Sequence, residues 1–275
     1  MRLLEALNFG IKKLEECSLS PEFESIIFLE ETTGKKKEDI LINNIKIKDS
    51  EILVFKDYLN RRVNGEPWQY IVGKMDFLGF EIFTEKGVFI PRPETELMAL
   101  RAINKLNEFN YSRVIEIGCG TGAISISIAG KIKNAKVIAT DISKQAVRIC
   151  KKNIEYHKLK DKINVVCSDL FKCFSRGDNF DMIISNPPYI LKKNLDKIDT
   201  VVKKEPLLAL DGGDYGVDII NEILGSASKF LKTSGLIFIE IDPSDLPYIN
   251  IPKNLKCSYQ KDQYSKIRFL YGVKL

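Results

Sequence analysis

Apolar residues at Leu3, Leu4, Leu7, Ile11 and Leu14 recur three and four positions apart, the spacing of a helix with one buried face. A second helix is signalled by Ser20-Pro21, an N-cap followed by proline at the first helical position, ahead of "EFESIIFLEE". A third begins near Ser50, carries Ile52, Phe55, Leu59 and Val63 on one face, and stops at Asn64-Gly65. The lysine run "GKKKED" reads as a solvated loop. Residues 1–75 are therefore expected to form a small helical domain.

The period then changes. "MDFLGFEIFTEKGVFI" holds two β-leaning runs around Glu85-Lys86-Gly87, which predicts a β-hairpin in a linker spanning residues 76–97. From about Ser112 short apolar runs alternate with helical patterns. "RVIEIG", "KVIATD", "INVVCSD", "FDMIISN" and "GLIFIEI" read as strands. "GTGAISISIAG", "SKQAVRICKKNIEYHKL" and "VDIINEILGSASKFLKT" read as helices, the second with Ala146, Val147, Cys150 and Ile154 buried. Such alternation predicts an α/β domain over residues 98–275, a doubly wound and mostly parallel sheet covered by helices on both faces.

Composition narrows the setting more than the chemistry. The 275 residues are 44% hydrophobic and 29% charged, with a mildly basic net charge of +5, ordinary for a globular protein. The six cysteines form no CxxC pair, which argues against a zinc ribbon or thioredoxin-like motif. No metal site is expected. Charge interrupts the first apolar positions, so a signal peptide is not expected, and no apolar run approaches the ~18 residues of a membrane span. A reducing, cytoplasmic setting follows. The single histidine, His157, excludes any mechanism that needs two and reads as a helix-surface residue.

In a doubly wound sheet, ligands bind at the carboxyl ends of the strands. Three features fall there. "EIGCGTGA" joins a strand to a helix, and Gly118, Gly120 and Gly122, with Cys119 and Thr121 between them, form a loop whose backbone a ligand can approach closely. Cys119 reads as a small residue that fits the loop, not as a nucleophile. Asp141 ends the next strand about twenty residues on, where a carboxylate can grip both hydroxyls of a ribose. Asp169, ending the third strand, can accept an adenine amine, with Leu170 packed on the ring. This pattern suits a nucleoside ligand but leaves NAD and S-adenosylmethionine both open, since Ala123 completes the relaxed dinucleotide fingerprint. Glu116 tilts toward S-adenosylmethionine, because a carboxylate is useful beside an ammonium and a sulfonium.

The stretch "FDMIISNPPYI" carries the chemistry. A planar amide or adenine nitrogen is a poor nucleophile, because its lone pair is delocalised. The oxygen of Asn186 and the carbonyl of Pro187 can accept the two N–H groups of one substrate NH2, which orients it and favours the pyramidal transition state. Proline fixes its own φ and biases Asn186 toward an extended backbone. Pro188 stiffens the turn, and Tyr189 offers a flat face to a planar substrate. If the group transferred is a methyl from a sulfonium, no strong base is needed, since the methylated nitrogen is very acidic once formed and loses its proton to solvent.

"VIEIGCGTGAISI", "NPPYI" and the acidic strand end together resemble a class I S-adenosylmethionine-dependent methyltransferase. "RRVNGEPWQYIVGKMDFLGF", "VFIPRPETE" and "KEPLLALDGGDYG" narrow the resemblance to the HemK-type protein-glutamine methyltransferases. The resemblance covers the linker and the α/β domain and implies a Rossmann-like fold. It implies S-adenosylmethionine as cofactor, held by Gly118, Cys119, Gly120, Thr121, Gly122, Asp141, Asp169, Leu170 and Asn186. It also implies methylation of the glutamine in the Gly-Gly-Gln motif of peptide chain release factors, with Asn186, Pro187, Pro188 and Tyr189 binding that glutamine and the helical domain clasping the release factor. Arg92, Glu94 and Glu96 either order the loop beside the site or form structural ion pairs. The chain departs from the family pattern at Glu116 and at Asp242-Pro243. A monomer is expected, with no membrane and no direct nucleic-acid substrate. Glutamine methylation of a ribosomal protein and N6-adenine methylation of nucleic acid are the alternatives; the latter needs base flipping and a phosphate-gripping domain that the sequence does not display.

Overall fold

The computed structural model describes residues 1–42, 45–175, 177 and 179–275. The chain divides into two compact units, one of residues 1–74 with 199–204, the other of residues 75–198 and 205–275.

The first unit is helical: α1 (Leu3–Leu14), α2 (Pro21–Thr33), α3 (Lys37–Ile42), α4 (Asp49–Val63) and α5 (Trp68–Val72). Leu3, Leu7, Leu14, Phe28, Leu29, Phe55 and Leu59 are its buried core, while Leu4 and Val63, which share the predicted apolar pattern, are exposed. Gly10 lets the helices approach closely, since a Cβ there would lie 2.7 Å from Ser25 Oγ and 2.9 Å from Phe55 Cζ. Pro21 opens α2 after Ser20, whose side chain makes no capping bond. The expected "GKKKED" loop is only half loop. Helix α3 starts at Lys37, with Glu38 and Asp39 in its first turn, where carboxylates favour the positive end of the helix dipole.

The hairpin forms, but its turn lies elsewhere than predicted. Strands β1 (Lys74–Phe77) and β2 (Phe80–Phe83) are joined at Leu78-Gly79. Both turn residues have positive φ, 54° and 83°, as a two-residue hairpin with the right-handed strand twist requires. Asp76 Oδ1 accepts a hydrogen bond from Gly79 N. The Glu85–Gly87 segment is a separate turn, closed by Val88 N donating to Glu85 O, and Val88–Ile90 is not a strand.

In the second unit α6 (Pro93–Glu108) precedes β3 (Arg113–Ile117), α7 (Ala123–Lys131), β4 (Lys136–Asp141), α8 (Lys144–Tyr156), β5 (Ile163–Cys167) and β6 (Phe180–Ser185). Then come α9 (Asp218–Phe230), β7 (Leu231–Glu240), β8 (Leu255–Lys261) and β9 (Ile267–Lys274). The seven strands run in the order β5-β4-β3-β6-β7-β9-β8. The first five are parallel, and β9 and β8 close the far edge antiparallel. Apolar clusters cover both faces, one containing Met98, Ile126 and Phe238, the other Ile183, Ile223 and Ile237. The order reverses between β3 and β6, so the ends of β3, β4 and β6 flank the crevice where such sheets bind ligands. Among the described residues no helix is long and apolar enough to cross a membrane.

Candidate active site

The glycine loop leaves the carboxyl end of β3 as three left-handed residues. Gly118, Gly120 and Gly122 have φ of 72°, 53° and 80°, a region costly for any residue with a Cβ. Their surroundings differ. A Cβ on Gly118 or Gly120 would meet nothing within 4 Å, whereas one on Gly122 would lie 2.5 Å from Cys150 Sγ. The first two therefore border open space, and the third lets α7 pack against α8. Gly118 N and Cys119 N both donate to Thr140 O, at 2.8 and 2.9 Å. Asp141 holds the loop from the end of β4, its Oδ2 accepting from Gly120 N and its Oδ1 from Ser143 N, each at 2.8 Å. Burial pushes the Asp141 carboxyl up, and those backbone donors pull against it. Asn153 of α8 bonds Thr121 O at 2.9 Å and both backbone groups of Phe83, tying the loop to β2.

Asn186-Pro187-Pro188-Tyr189 follows β6 directly, and a second glycine-rich segment clamps its backbone. Ile190 N donates to Leu210 O and Gly212 N donates to Ile190 O, at 3.0 and 2.9 Å. A Cβ on Gly212 would lie 2.8 Å from Tyr189 Cα, and one on Gly216 would lie 2.7 Å from Tyr189 O. The "DGGDYG" stretch thus needs its glycines to sit against the proline loop. Strand ends, tandem prolines and this clamp together fix where Asn186 and Tyr189 stand.

Behind them lies a buried polar chain. Asn186 Nδ2 donates to Thr95 Oγ1 at 2.9 Å, and Thr95 Oγ1 donates to Glu240 Oε2 at 2.7 Å. Tyr189 OH donates to Glu240 Oε1 at 3.3 Å. Thr95 lies in the first turn of α6 and Glu240 at the end of β7; both are buried. Burial pushes the Glu240 carboxyl up to about 7, opposed by the Thr95 hydrogen bond and reinforced by Glu94. Burial and the neighbouring Glu240 push the Tyr189 phenol up as well, so it stays a hydrogen-bond donor.

A methyltransferase small domain matches residues 80–261, and a PrmC N-terminal domain matches residues 5–73. The release factor glutamine methyltransferase of Clostridium acetobutylicum is 36% identical, over 88% of this chain and 86% of that one. The one from Borreliella burgdorferi is 35% identical, over 91% of this chain and 85% of that one. The chain belongs to the release factor glutamine methyltransferase family. A human relative, MTRF1L release factor glutamine methyltransferase, is 32% identical, over 72% of this chain and 62% of its own. Two solved structures share the class I methyltransferase fold at low identity. A Thermus thermophilus 16S rRNA methyltransferase with AdoMet and guanosine has a TM-score of 0.51 at 18% identity, over 74% of this chain and 50% of that one. The hMettl16 catalytic domain with an RNA hairpin has a TM-score of 0.52 at 16% identity, over 82% of each chain.

For this family member, the structure gathers Gly118–Gly122, Asp141 and Asn186–Tyr189 at the ends of adjacent strands. Pro187 is buried and Pro188 half-buried. Asp169 and Leu170 lie in the turn after β5, which Ser168 N ties to Asp141 O at 2.9 Å. The Asp169 carboxylate there pairs with Lys172 at 2.5 Å, and Leu170 has a φ of 44°. Cys119 is buried beside Cys150, whose hydrogen bond, with burial, drives its thiol pKa up; it is no thiolate. Glu116 points into the protein and accepts from both the backbone N and the hydroxyl of Ser125. Arg92 forms an ion pair with Glu205, and Glu96 accepts from Leu78 N at 3.1 Å. His157 is half-buried at the end of α8, its Nε2 2.7 Å from Glu81 O, because the Phe80 ring packs edge-on against it. At the departure Asp242-Pro243, Asp242 caps a short 3-10 turn through Ser244 N and pairs with Arg268. Sequence reasoning missed Thr95, Glu240, Glu205 and Asn153. Thr95 and Glu205 lie inside the quoted family segments, and Glu240 ends an apolar strand at the level of the site.

Proposed function

We propose that this chain transfers a methyl group from S-adenosylmethionine to the side-chain amide nitrogen of the glutamine in the Gly-Gly-Gln motif of peptide chain release factors. The observation that carries this is the relatedness to release factor glutamine methyltransferases over 88% of the chain, with both domain models represented.

The residues present fit the cofactor. Gly118 and Gly120 border open space beside a backbone that a Cβ would shield. Both oxygens of Asp141 accept from backbone N–H groups, and a carboxylate's remaining lone pairs can take a ribose hydroxyl. When bound, S-adenosylmethionine supplies an electrophilic methyl carbon on a sulfonium. The loop of Gly118, Cys119, Gly120, Thr121 and Gly122 would hold the cofactor together with Asp141, and Asp169 and Leu170 would serve its adenine.

The side-chain oxygen of Asn186 and the carbonyl of Pro187 accept the two N–H groups of the glutamine amide and aim its nitrogen. Tyr189 and Pro188 shape the slot for its planar group. Two acceptors on one NH2 favour the geometry in which its lone pair is available, which is orientation plus preorganised electrostatics. The helical unit clasps the release factor, and the enzyme acts as a cytoplasmic monomer without a membrane or nucleic-acid substrate.

Mass spectrometry of release factor co-expressed with this chain tests the reading. A single added methyl on the motif glutamine is expected, and none on release factor with that glutamine replaced. Undiminished methylation of the replaced protein overturns the substrate.

A further inference from the structure

The chain of hydrogen bonds behind the NPPY loop has a direction. When Glu240 is ionised its carboxylate only accepts, so the single hydroxyl proton of Thr95 goes to Oε2, 2.7 Å away. The Thr95 oxygen is then left as an acceptor toward Asn186, and only the Nδ2 end of the carboxamide can face it, at 2.9 Å. The opposite carboxylate oxygen takes the Tyr189 proton. In its ionised form Glu240 thereby turns every donor of the chain toward itself.

We propose that Glu240 and Thr95 are positioning residues that lock the Asn186 carboxamide with its oxygen turned toward the substrate amide. This rests on the reading that Asn186 receives that amide. Without the lock, the carboxamide can turn over and present N–H to N–H, which repels the nucleophile. A packing role alone demands no such polarity.

The groups facing Glu240 are Thr95 and Glu94 of α6, Tyr189 of the loop and Arg268 of β9. Burial and Glu94 favour its protonated form; Thr95, Tyr189 and Arg268 favour the carboxylate. Protonated Glu240 can donate to Thr95, which frees the threonine proton for Asn186 and reverses the chain. Turnover therefore rises as Glu240 ionises.

The experiment compares wild type with Thr95→Val, Thr95→Ser and Glu240→Gln. It reads kcat and KM on release factor, cofactor Kd, and hydrogen exchange of the Asn186 side-chain amide by NMR without ligand. Thr95→Val should lower kcat about 10²-fold, the scale of a misoriented reacting group, with cofactor Kd near wild type. Thr95→Ser should regain most of that loss. The Asn186 amide protons should exchange slowly in wild type and Thr95→Ser and fast in Thr95→Val. Glu240→Gln should remove the acid limb of the kcat profile near pH 7. Wild-type kcat in Thr95→Val, no recovery in Thr95→Ser, equal amide exchange in all proteins, or an acid limb that survives Glu240→Gln would each overturn the proposal. If wild type methylates no release factor, the substrate reading fails, and amide exchange still decides the lock.

Discussion

Arg92 and Glu205, 113 residues apart in sequence, form an ion pair on the rim of the site, and Glu205 also accepts from Ile90 N at 3.0 Å. One buried carboxylate thus ties "IPRPETE" to the segment that clamps the NPPY loop. The pair is asymmetric: the Glu205 side chain is 1% exposed and that of Arg92 is 28% exposed. Arg92→Ala strands a charge in the interior, while the guanidinium can reach water. Arg92→Ala should destabilise the fold by about 2–3 kcal/mol, below the range for a fully buried pair because Arg92 is partly solvated. Adding Glu205→Gln should recover part of that loss. Urea unfolding of the single and double variants measures both.

Asn186→Ala removes the acceptor assigned to the substrate amide but leaves the glycine loop and Asp141 untouched. Turnover should fall by about two orders of magnitude or more, in line with loss of a preorganised transition-state contact. Cofactor affinity measured by calorimetry should change only modestly. Unchanged turnover defeats the assigned role.

The two kinds of glycine in the loop separate ligand binding from packing. Gly118→Ala meets no protein atom within 4 Å. It should cost about 1–2 kcal/mol of stability for its φ of 72° and weaken cofactor binding about tenfold or more, because the methyl enters the open side. Gly122→Ala carries similar strain plus the collision with Cys150, a further cost of about 1–3 kcal/mol. A second change, Cys150→Ala, should return the collision part and leave the backbone part. Thermal unfolding with calorimetric titration tells these apart.

Strands buried on both faces wrote themselves into the sequence as apolar runs, and β3, β4 and β6 stand where those runs predicted. Strand β8 left no such mark, because on this sheet edge Lys256, Ser258 and Tyr259 face water and the apolar pattern is diluted. The hairpin turn was hidden for a different reason. Leucine seldom takes positive φ, so Leu78-Gly79 was less conspicuous than Gly87, although Asp76 supplied the stabilising acceptor. At the site, the residues proposed to meet cofactor and substrate were legible because their chemistry sits in contiguous motifs. Thr95 and Glu240 were not, since their partnership spans 145 residues and exists only once α6 and β7 converge.

Glu116, Glu240 and Asp245 are buried carboxyls that make stability fall as pH rises. Burial drives Glu116 up to about 8, against the Ser125 hydrogen bonds. It drives Glu240 up to about 7, against Thr95, and Asp245 up to about 7, against the Asp242 backbone N–H. Each keeps its proton in the folded state to a higher pH than in the unfolded chain, where carboxyls titrate near 4. Their stabilising contribution is complete below that value and is lost as pH rises through 7 to 8. Asp181 works in the opposite sense. Against its own burial, Lys232 and the backbone N–H groups of Arg113 and Ser112 hold it below the usual range, so its contribution is lost in acid. Thermal midpoints should therefore peak in mildly acidic buffer, around pH 5, and decline toward pH 9. Asp245→Asn, which replaces a carboxyl lying outside the proposed catalytic contacts, should flatten that decline. An identical slope in the variant would show that Asp245 ionises in the folded protein as it does in the unfolded chain.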